Sequence, residues 1–583
     1  MKRWVEKIFQ CGCYVFFLLN VVYLTLLSMF STSSIELKRV IAEGEPERVE
    51  NYNYFLPDSP WKHLLACGVL LIVLCAASYF WNSRKRKISL QWLCIPFFIF
   101  CVFFIIQADL YPISDSNKIL TVARQIREHN YVQFATEGYM HRYPDQTGIV
   151  LIYYWIHGIF GEKDYLAIQI WNAICLAGTY FCMGRIAFLL WGDKDKNVQD
   201  MTLLFCIAFF PMTLYVTLVY GMIPGLAFGV LAFYLQLKYM KSGRFAYGAG
   251  AAAAVSVAVV WKTNSLIMLV AMCIFYAYDF ITGDKDRKKK SLAAILLMFL
   301  LYAVSSWAVN WTAEKLTGIE VSEGMPKTAW IGMGLQEAAC APGVYNGYSV
   351  GTYEENNYDY DRTNAAAKEE IKSRLALFWD DRSYGVDFFG RKNAAQWNDP
   401  SFSSLAVIDG REEGGAINLD NLCHGPLKDM AAGIANYLHT IILAGVCFYL
   451  LFYRNNKKKG ELLLGIAVVG GFLFHMFWEA KPQYTLPYFV LLLPYCAAGY
   501  SGMVQKMLVL WKERKRNAGK TKERCLTAVI GIGITVAFIG IISLLSDFRI
   551  ISYTVNIRNE QERLLQYEEA VKERLTEYEE RQE

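Results

Sequence analysis

The chain has 583 residues, of which 55% are hydrophobic and 15% aromatic, and its mean hydropathy is +0.23. This composition is too apolar for a water-soluble protein of that length, and it excludes soluble enzymes and soluble binding modules. The net charge of +5 does not indicate nucleic-acid binding, because the Lys and Arg residues cluster in short loops between apolar runs. The sequence therefore predicts an all-α polytopic membrane protein.

Apolar runs of about 20 residues recur along the chain, and each is long enough to cross a hydrocarbon layer of about 30 Å. The first run is interpreted as a retained span, because no small-residue cleavage site of a signal peptide follows it. By this length criterion we expect about 13 transmembrane helices. They cover residues 11–30, 62–82, 90–107, 165–190, 201–219, 222–240, 245–260, 263–281, 291–311, 433–453, 461–477, 484–503 and 526–545.

The charges of the connecting loops predict the orientation, because basic residues favour cytoplasmic loops. Every second loop is basic, whereas the short loops of the other side hold almost no cations except Lys262 and Lys481. The basic loops contain Lys2-Arg3, Arg84 to Lys87, Lys194 and Lys196, Lys238 to Arg244, Lys285 to Lys290, Lys457 to Lys459, and Lys512 to Arg524. We therefore expect a cytoplasmic N-terminus and an extracytoplasmic C-terminus in a bacterial plasma membrane.

The apolar stretch 148–161 presents an ambiguity in this topology. If it crossed the membrane, every later loop would change sides and Lys288, Lys289 and Lys290 would lie outside. We therefore predict a re-entrant or interface-lying helix on the outer face, where irregular segments can line a cavity.

These assignments divide the chain into five regions. Residues 312–432 are long enough for a small extracytoplasmic domain of ~120 residues with loops and at least one helix. If that segment is exported, Cys340 and Cys423 are candidates for a disulfide. The regions are 1–89 (two N-terminal spans and an outer loop), 90–311 (a membrane core with its first outer loop at 108–164), 312–432, 433–545 (C-terminal spans) and 546–583 (an acidic amphipathic helical tail outside, either solvated or bound to a partner).

The first outer loop carries the strongest candidates for chemistry. Ionisable groups held at a membrane face cost solvation energy, so they mark functional sites. Asp115 stands at a predicted helix start, where it serves either as an N-cap or as a general base that accepts a hydroxyl proton. Asp109 is the second catalytic candidate. His141, Arg142, Tyr143 and Asp145 follow in the same loop, and Arg142 is a candidate phosphate ligand.

A second group of candidates lies between two late spans. Glu479, Lys481 and Tyr484 stand there, and Glu479 and Lys481 either pair with each other or bind substrate. Lys262 lies on the same predicted side and is either a snorkelling turn residue or a substrate ligand. The sequence shows no P-loop, dinucleotide fingerprint, HExxH motif or zinc-type cysteine pattern. No cofactor is indicated, and a divalent cation is left open.

Several short motifs resemble a known family in order and in membrane side. Asp115 and Ala123 in DSNKILTVA resemble the DE-x-x-Y-x-x-x-A pattern of the protein O-mannosyltransferase and aminoarabinose transferase families, which are multi-span GT-C glycosyltransferases. Further similar elements complete the resemblance over roughly 90–500. They are His141 to Pro144 with Tyr153-Tyr154-Trp155 (family EKPPL-YYW), Val219-Tyr220-Gly221 with Pro224, Trp261 to Asn264, and Glu479 to Tyr488 (family E-A-x-x-R-Y-x-L-P-Y).

This chain departs from the family pattern at three places. Ser116 replaces an acidic neighbour of Asp115, and Gln483 replaces the family arginine, so phosphate binding shifts to Lys481 or Arg142. The acid of EKPPL is absent, and Asp145 is its candidate substitute. The two N-terminal spans lie outside the resemblance.

The resemblance implies a glycosyltransferase that moves a sugar, with inversion, from a polyprenyl-phosphate donor to an acceptor hydroxyl outside the cytoplasm. Asp115 is then the base, and a Lys or Arg stabilises the departing phosphate. The acceptor is left open among envelope polysaccharide, teichoic acid, lipid and protein. A transporter or flippase for a lipid-linked sugar is the alternative, and a non-catalytic scaffold is a third hypothesis.

Overall fold

The structure is a computed structural model that describes residues 2–40, 48–82, 89–193, 195, 197–338, 340–409, 411, 414–424, 426–453 and 459–516. The predicted span 526–545 and the predicted tail 546–583 lie outside the described residues. So do the basic residues of the loops at 84–87, 194, 196, 457–458 and 517–524.

The N-terminal half of the described chain is almost entirely helical. Its helices are α1 (Lys2–Phe30), α2 (Pro60–Asn82), α3 (Cys94–Ala108), α4 (Ser114–Arg127), α5 (Tyr139–Arg142), α6 (Thr147–Phe160), α7 (Asp164–Trp191), α8 (Val198–Ala208), α9 (Pro211–Leu214), α10 (Met222–Ser242), α11 (Phe245–Trp261), α12 (Leu266–Thr282) and α13 (Lys285–Thr317).

The C-terminal half of the described chain continues with shorter helices and then returns to apolar ones. They are α14 (Lys327–Gly334), α15 (Tyr348–Glu355), α16 (Tyr360–Asp380), α17 (Arg382–Trp397), α18 (Ser404–Ile408), α19 (Asp420–Cys423), α20 (Pro426–Phe448), α21 (Leu463–Phe477), α22 (Pro482–Val490) and α23 (Leu493–Arg516).

The helices agree with the predicted membrane class. Within the described residues, eight helices are long and apolar enough to cross a membrane, and two bent helix pairs raise that number to ten. The bent pairs, α8 with the Pro211–Thr217 segment and α22 with α23, correspond to the predicted spans 201–219 and 484–503. The predicted spans 62–82 and 245–260 correspond to the shorter apolar helices Pro60–Cys75 and Phe245–Trp261. The molecule is an all-α multi-pass membrane protein, and the part of the chain that the structure describes contains one β-hairpin besides its helices.

That hairpin lies in the first connecting loop. Strands β1 (Ser31–Val40) and β2 (Arg48–Pro57) pair antiparallel, with Ser31 opposite Pro57. Its base is fixed to the segment after α17, because the Ser33 amide donates to the carbonyl of Asn398 at 3.0 Å. The side-chain amide of Asn398 in turn donates from Nδ2 to the Ser31 carbonyl at 2.8 Å.

The helix bundle has two chemically different ends. At one end, Lys459 Nζ lies 3.0 Å from both Glu6 Oε1 and Thr282 Oγ1. At the same end, the Tyr239 hydroxyl donates to the carbonyl of Lys290, in the predicted basic loop. The opposite ends of α10, α11, α12 and α21 border residues 219–221, 262–265 and 478–481. The candidate site residues therefore lie at the end away from the basic loops.

The segment 312–432 packs tightly on the membrane helices. It folds into α14 to α19, and α17 contributes the fully buried Trp397 to the main hydrophobic core. The buried Arg411 guanidinium donates to the carbonyls of Leu110, Tyr111 and Thr217. Cys340 and Cys423 are buried in separate hydrophobic clusters and are not joined by a disulfide in this structure.

The stretch 148–161 forms the 14-residue helix α6. At 1.5 Å per residue it is shorter than the ~20 residues that a membrane crossing needs. It continues through a short 3-10 turn into α7, and together they form one long apolar run. An interface position of α6 therefore stays a prediction.

Candidate active site

Asp115 lies in the first turn of α4, a helix that follows the end of α3. The helix forms because Ile119, Leu120, Ala123 and Ile126 recur at helical spacing and bury one face. Ile113 occupies the N-cap position, and no side chain caps this helix. Asp115 is exposed and does not cap the helix, so the N-cap role that the sequence left open is not observed.

A buried ion cluster fixes α4 in place. Arg124 donates from Nε to Asp164 Oδ2 at 2.9 Å and from Nη2 to Oδ1 at 2.7 Å. His157 Nδ1 lies 2.9 Å from the same Oδ2, and Asp164 is fully buried. Three helices, α4, α6 and α7, therefore meet at one carboxylate. Because Arg124 and Asp115 share α4, this cluster positions the helix that carries Asp115.

Lys262 occupies a break between two helices. It follows α11 with an extended backbone (φ −154°, ψ 112°), and a 3-10 turn then leads into α12. Its Nζ lies 4.1 Å from the ring centroid of Tyr220. Burial lowers the pKa of Lys262 to about 8, while the charges of Asp115 and Glu479 act to raise it. Lys262 is thus a partly desolvated cation that faces two carboxylates.

Lys481 occupies a similar break. It precedes α22 with an extended backbone (φ −153°, ψ 126°), and Pro482 starts the helix. Its Nζ lies 5.7 Å from the ring centroid of Tyr484, and the Tyr484 hydroxyl donates to Glu479 Oε2 at 3.4 Å. Among the described residues, Glu479 and Lys481 form no ion pair within 4.0 Å. The direct pairing that the sequence left open is therefore not observed.

Glu479 is a buried carboxyl group, only 6% exposed. Burial raises its pKa above the ordinary range, and Asp115 raises it further, while Lys481 and Lys262 act in the opposite direction. The charges of Asp115, Lys262 and Lys481, which come from three distant segments together with Glu479, thus all act on the Glu479 carboxyl group. We call Asp115, Lys262, Glu479 and Lys481 the charged cluster.

Tyr220 and Gly221 lie beside the charged cluster, immediately before the start of α10. Tyr220 is buried, its ring contacts the Lys262 ammonium, and its hydroxyl accepts from Gln146 Nε2 at 3.1 Å. A Cβ at Gly221 would collide with the carbonyl oxygen of Trp261. Glycine is therefore required here for α10 to approach the end of α11.

Three other predicted residues are engaged by the segment after α13. Arg142 Nη2 lies 2.7 Å from Glu354 Oε1, and the guanidinium lies 5.7 Å from the Tyr358 ring. Asp145 forms an ion pair with Lys327. His141 stacks on Tyr353 with ring centroids 6.0 Å apart, and burial followed by the charge of Arg142 lowers the His141 pKa. The charge of Arg142 is thus neutralised locally, and Lys262 and Lys481 are the better phosphate candidates.

Tyr143 and Asp109 take different positions. Tyr143 borders the charged cluster, since its pKa is raised by burial and by the nearby Tyr345, Asp115 and Glu479. Asp109 ends α3 in a left-handed conformation (φ 41°), and its Oδ1 accepts from the Tyr165 hydroxyl at 2.7 Å. This contact gives Asp109 a structural partner.

Lys392 is a buried amine that the sequence analysis did not identify. It is fully buried on α17, and its Nζ donates to the carbonyls of Gly334 and Trp478, the latter at 2.8 Å. Burial lowers its pKa to about 7. Because Trp478 precedes Glu479, Lys392 fixes the loop that carries one carboxyl group of the cluster. The sequence analysis could not identify Lys392, because it lies in a polar segment that is distant from Glu479 in sequence and shows no motif.

An apolar cleft opens beside Lys262 and Tyr484. Its cavity volume is only about 30 Å³, and it lies between the starts of α10 and α12 and the helix α22. Its lining residues are Met222, Leu226, Lys262, Asn264, Ser265, Met268, Gln483, Tyr484, Pro487 and Tyr488. A cation beside a group of apolar side chains suits an anion that carries a hydrocarbon chain.

The charged cluster can bind an anion and accept a proton within one site. Lys262 and Lys481 supply charge-assisted hydrogen-bond donors, and Asp115 supplies an exposed carboxylate. No group of three or more His, Cys, Asp or Glu side chains suited to a metal occurs among the described residues.

The fold and this cluster define a multi-pass, all-α membrane protein with a polar site at one end of its helices. No protein-family model matches the sequence, and no curated protein matches it. Among solved structures, the chain is similar to the archaeal oligosaccharyltransferase AglB from Archaeoglobus fulgidus, solved with an inhibitory peptide and a dolichol-phosphate. The match has 12% identity and a TM-score of 0.38, and it covers 73% of this chain. It covers 52% of that protein, so the chain spans about half its length.

Proposed function

We propose that the protein is a GT-C-type membrane glycosyltransferase that transfers a sugar from a polyprenyl-phosphate donor to an acceptor hydroxyl. The observation that carries this proposal is the convergence of Asp115, Lys262, Glu479 and Lys481. These residues come from the separate motifs that resemble the family, and the fold brings them into mutual electrostatic contact.

The donor phosphate is proposed to bind between Lys262 and Lys481. Both ammonium groups flank Tyr484, and Arg142 is already paired with Glu354. The polyprenyl chain then runs along the apolar side chains beside Lys262, because the cleft itself, at about 30 Å³, is too small to enclose it. A phosphodiester is a fixed anion, so each charged contact contributes about 1.5–3 kcal/mol.

Transfer then proceeds by direct displacement at the anomeric carbon. The acceptor oxygen attacks that carbon while its proton passes to the Asp115 carboxylate. The bond from the anomeric carbon to the phosphate oxygen breaks, and polyprenyl phosphate leaves with the bonding electrons. Lys262 and Lys481 stabilise the charge that develops on the phosphate. A single displacement inverts the anomeric configuration.

The site is proposed to face the extracytoplasmic side. It lies at the helix ends opposite the basic residues around Lys290 and Lys459. Since basic loops favour the cytoplasm, the site end faces outward. Nucleotide sugars stay in the cytoplasm, so a lipid carrier is the appropriate donor there.

The arrangement favours an enzyme over a flippase for a lipid-linked sugar. Transporters place their substrate sites near the membrane midplane, on interrupted helices. Here Lys262 and Lys481 lie at the ends of α11 and α21, beside a large polar segment. A non-catalytic scaffold gives no reason for cations and carboxylates to converge in one partly buried cluster.

The deciding experiment uses the full chain in nanodiscs with a panel of radiolabelled undecaprenyl-phosphate hexoses and pentoses. We expect labelled sugar to leave at least one of these donors, either to water or to an added acceptor. A parallel proteoliposome assay follows movement of the donors between leaflets. Movement without cleavage of any donor would establish the flippase and reject the transferase.

A further inference from the structure

A row of four aromatic rings extends from the charged cluster along the segment after α13. Tyr139 and Tyr143 have ring centroids 4.8 Å apart, and Tyr143 lies 6.1 Å from Trp330. Trp330 and Trp478 are stacked, with centroids 5.9 Å apart and an interplanar angle of 17°. We call Tyr139, Tyr143, Trp330 and Trp478 the aromatic row.

The aromatic row differs from the aromatic residues of the core in its exposure. Each of its four side chains is partly exposed, whereas Trp191 and Trp397 are at most 1% exposed. None of the four belongs to a helix that is a candidate membrane span. Tyr345 is 49% exposed, and the charges of Glu479 and Asp115 act on its hydroxyl group. Trp478 also stacks on Phe474, with ring centroids 5.0 Å apart and an interplanar angle of 28°, so the accessible ring surface beside the charged cluster belongs to Trp330, Tyr139 and Tyr143.

The row is built rigidly. A Cβ at Gly334 would collide with the backbone of Phe477 and Trp478, so the end of α14 lies directly against the loop before Glu479. The Lys392 amine binds the carbonyls of both Gly334 and Trp478. These contacts hold Trp330 and Trp478 in fixed relation, which lowers the entropic cost of stacking a ligand on them.

One end of the row adjoins the proposed base. The charge of Asp115 acts on both Tyr139 and Tyr143, and Glu479 directly follows Trp478 in sequence. A ligand that lies along the rings therefore lies beside the exposed carboxylate of Asp115, whereas Glu479 is buried. Carboxylates accept hydrogen bonds from hydroxyl groups, and ring faces attract the weakly positive C–H bonds of a saturated ring.

We propose that the aromatic row is the acceptor subsite and that the acceptor is a carbohydrate whose pyranose ring stacks on Trp330, the ring that Trp478 supports. This inference rests on the proposed transferase activity and specifies its acceptor class. A sugar ring combines one flat face of C–H bonds with a rim of hydroxyls, and the row combines ring faces with the adjacent carboxylate of Asp115. A peptide acceptor would instead need partners for its backbone amides and carbonyls.

The chain contains a matched control. Trp307 and Trp311 on α13 are also stacked, at 6.0 Å and 23°, and they lie on a helix that is a candidate membrane span. They reproduce the ring pair without a neighbouring charged cluster. Substitution there tests whether tryptophan loss alone affects the measurement.

The experiment measures binding without donor, so it does not depend on transferase activity. The full chain in nanodiscs is applied to an array of bacterial envelope oligosaccharides and of Ser- and Thr-containing peptides. We expect binding to at least one oligosaccharide class and to no peptide. Trp330→Leu and Trp478→Leu should weaken that binding by about 3- to 10-fold, and Trp330→Phe by less. Trp307→Leu should leave it unchanged.

Two results would overturn the inference. One is binding to peptides alone, or to nothing, by wild-type protein that cleaves the donor in the separate assay. The other is oligosaccharide binding that Trp330→Leu and Trp478→Leu leave at the wild-type level in variants with the wild-type melting temperature. Failure of donor cleavage with retained, Trp330-dependent glycan binding would reject the transferase while leaving a carbohydrate site.

Discussion

Lys262 and Lys481 share one aromatic ring, with their ammonium nitrogens 5.6 Å and 5.7 Å from the ring centroid of Tyr484. Each lysine stands in an extended backbone segment between two helices. The two segments are more than 200 positions apart in the sequence, and the fold brings both ammonium groups to the same tyrosine ring.

Removal of either lysine should weaken donor binding. We expect Lys481→Ala and Lys262→Ala each to lower donor affinity by about 10- to 100-fold, since a charged hydrogen bond contributes about 1.5–3 kcal/mol. Lys481→Arg should retain part of the affinity. Affinity is measured with labelled undecaprenyl-phosphate sugar in nanodiscs. Lys327→Ala is the control, because its exposed ion pair with Asp145 is worth about 1 kcal/mol or less. Unchanged affinity in both variants would remove the lysines from the phosphate site.

Donor binding should decrease as the pH rises through about 8. Burial lowers the pKa of Lys262 to about 8, so its positive charge is present below that pH and lost above it. The donor phosphodiester keeps its single charge over the same range. Equilibrium binding between pH 6.5 and 9.5 checks this. Lys262→Arg should extend tight binding to higher pH, because arginine stays protonated throughout. An identical pH profile for wild type and Lys262→Arg would contradict the assignment.

Asp115→Asn should abolish turnover while preserving donor binding. Asparagine keeps the shape of aspartate but cannot accept the proton, and loss of a general base costs at least ~10²-fold. Asp109→Asn is the control, since its partner is the Tyr165 hydroxyl, and it should be milder. The measurement is single-turnover transfer in nanodiscs with saturating donor. Full turnover in Asp115→Asn together with loss in Asp109→Asn would move the base to Asp109.

The buried cluster around Asp164 should affect both stability and turnover. Arg124→Gln breaks a doubly hydrogen-bonded pair and leaves the fully buried Asp164 carboxylate without its cation, which costs up to about 3–5 kcal/mol of unfolding free energy. Because α4 then loses its contact with α7, turnover should fall even where donor binding is retained. Melting temperature and turnover are compared with those of Arg374→Ala, whose partner Glu370 lies four residues away on the same helix. Wild-type turnover in a destabilised Arg124→Gln would show that the cluster does not position Asp115.

The orientation can be tested with two introduced cysteines. Gly351→Cys should react with an impermeant thiol reagent in intact cells, and a side chain fits there because nothing lies within 4 Å of a Cβ. Lys289→Cys, an exposed position in the basic loop, should react only after the membrane is permeabilised. Labelling of the wild-type cysteines is subtracted. The reverse pattern would invert the topology and place the site in the cytoplasm.

The sequence predicted the membrane helices well, because length and apolar composition alone decide whether a segment can cross a bilayer. The bends within the predicted spans 201–219 and 484–503 were not predicted, since they depend on how neighbouring helices pack. The hairpin Ser31–Pro57 was missed for a similar reason. Its base is held by Asn398, a residue that is distant in sequence.

The site was predicted only where a short motif marked it. Asp115, Lys262, Glu479 and Lys481 stood out as ionisable residues beside apolar runs. Their convergence requires contacts between distant helices, which no local pattern encodes. The Arg124–Asp164 pair spans 40 positions and has no periodic signature, so it went unnoticed. The ion pair between Arg142 and Glu354 was not predicted either, because the two residues are distant in sequence, and phosphate binding by Arg142 stays a prediction.

The two carbonyls bound by Lys392 have a consequence for protein engineering. One belongs to the end of α14 and the other to the loop between α21 and α22. Deletion of the segment 312–432 would remove the Lys392 amine, which donates to the Trp478 carbonyl, and would leave that carbonyl without a hydrogen-bond donor. The segment 312–432 therefore cannot be transferred to another protein by itself. It must be exchanged together with the loop between α21 and α22 that Lys392 holds.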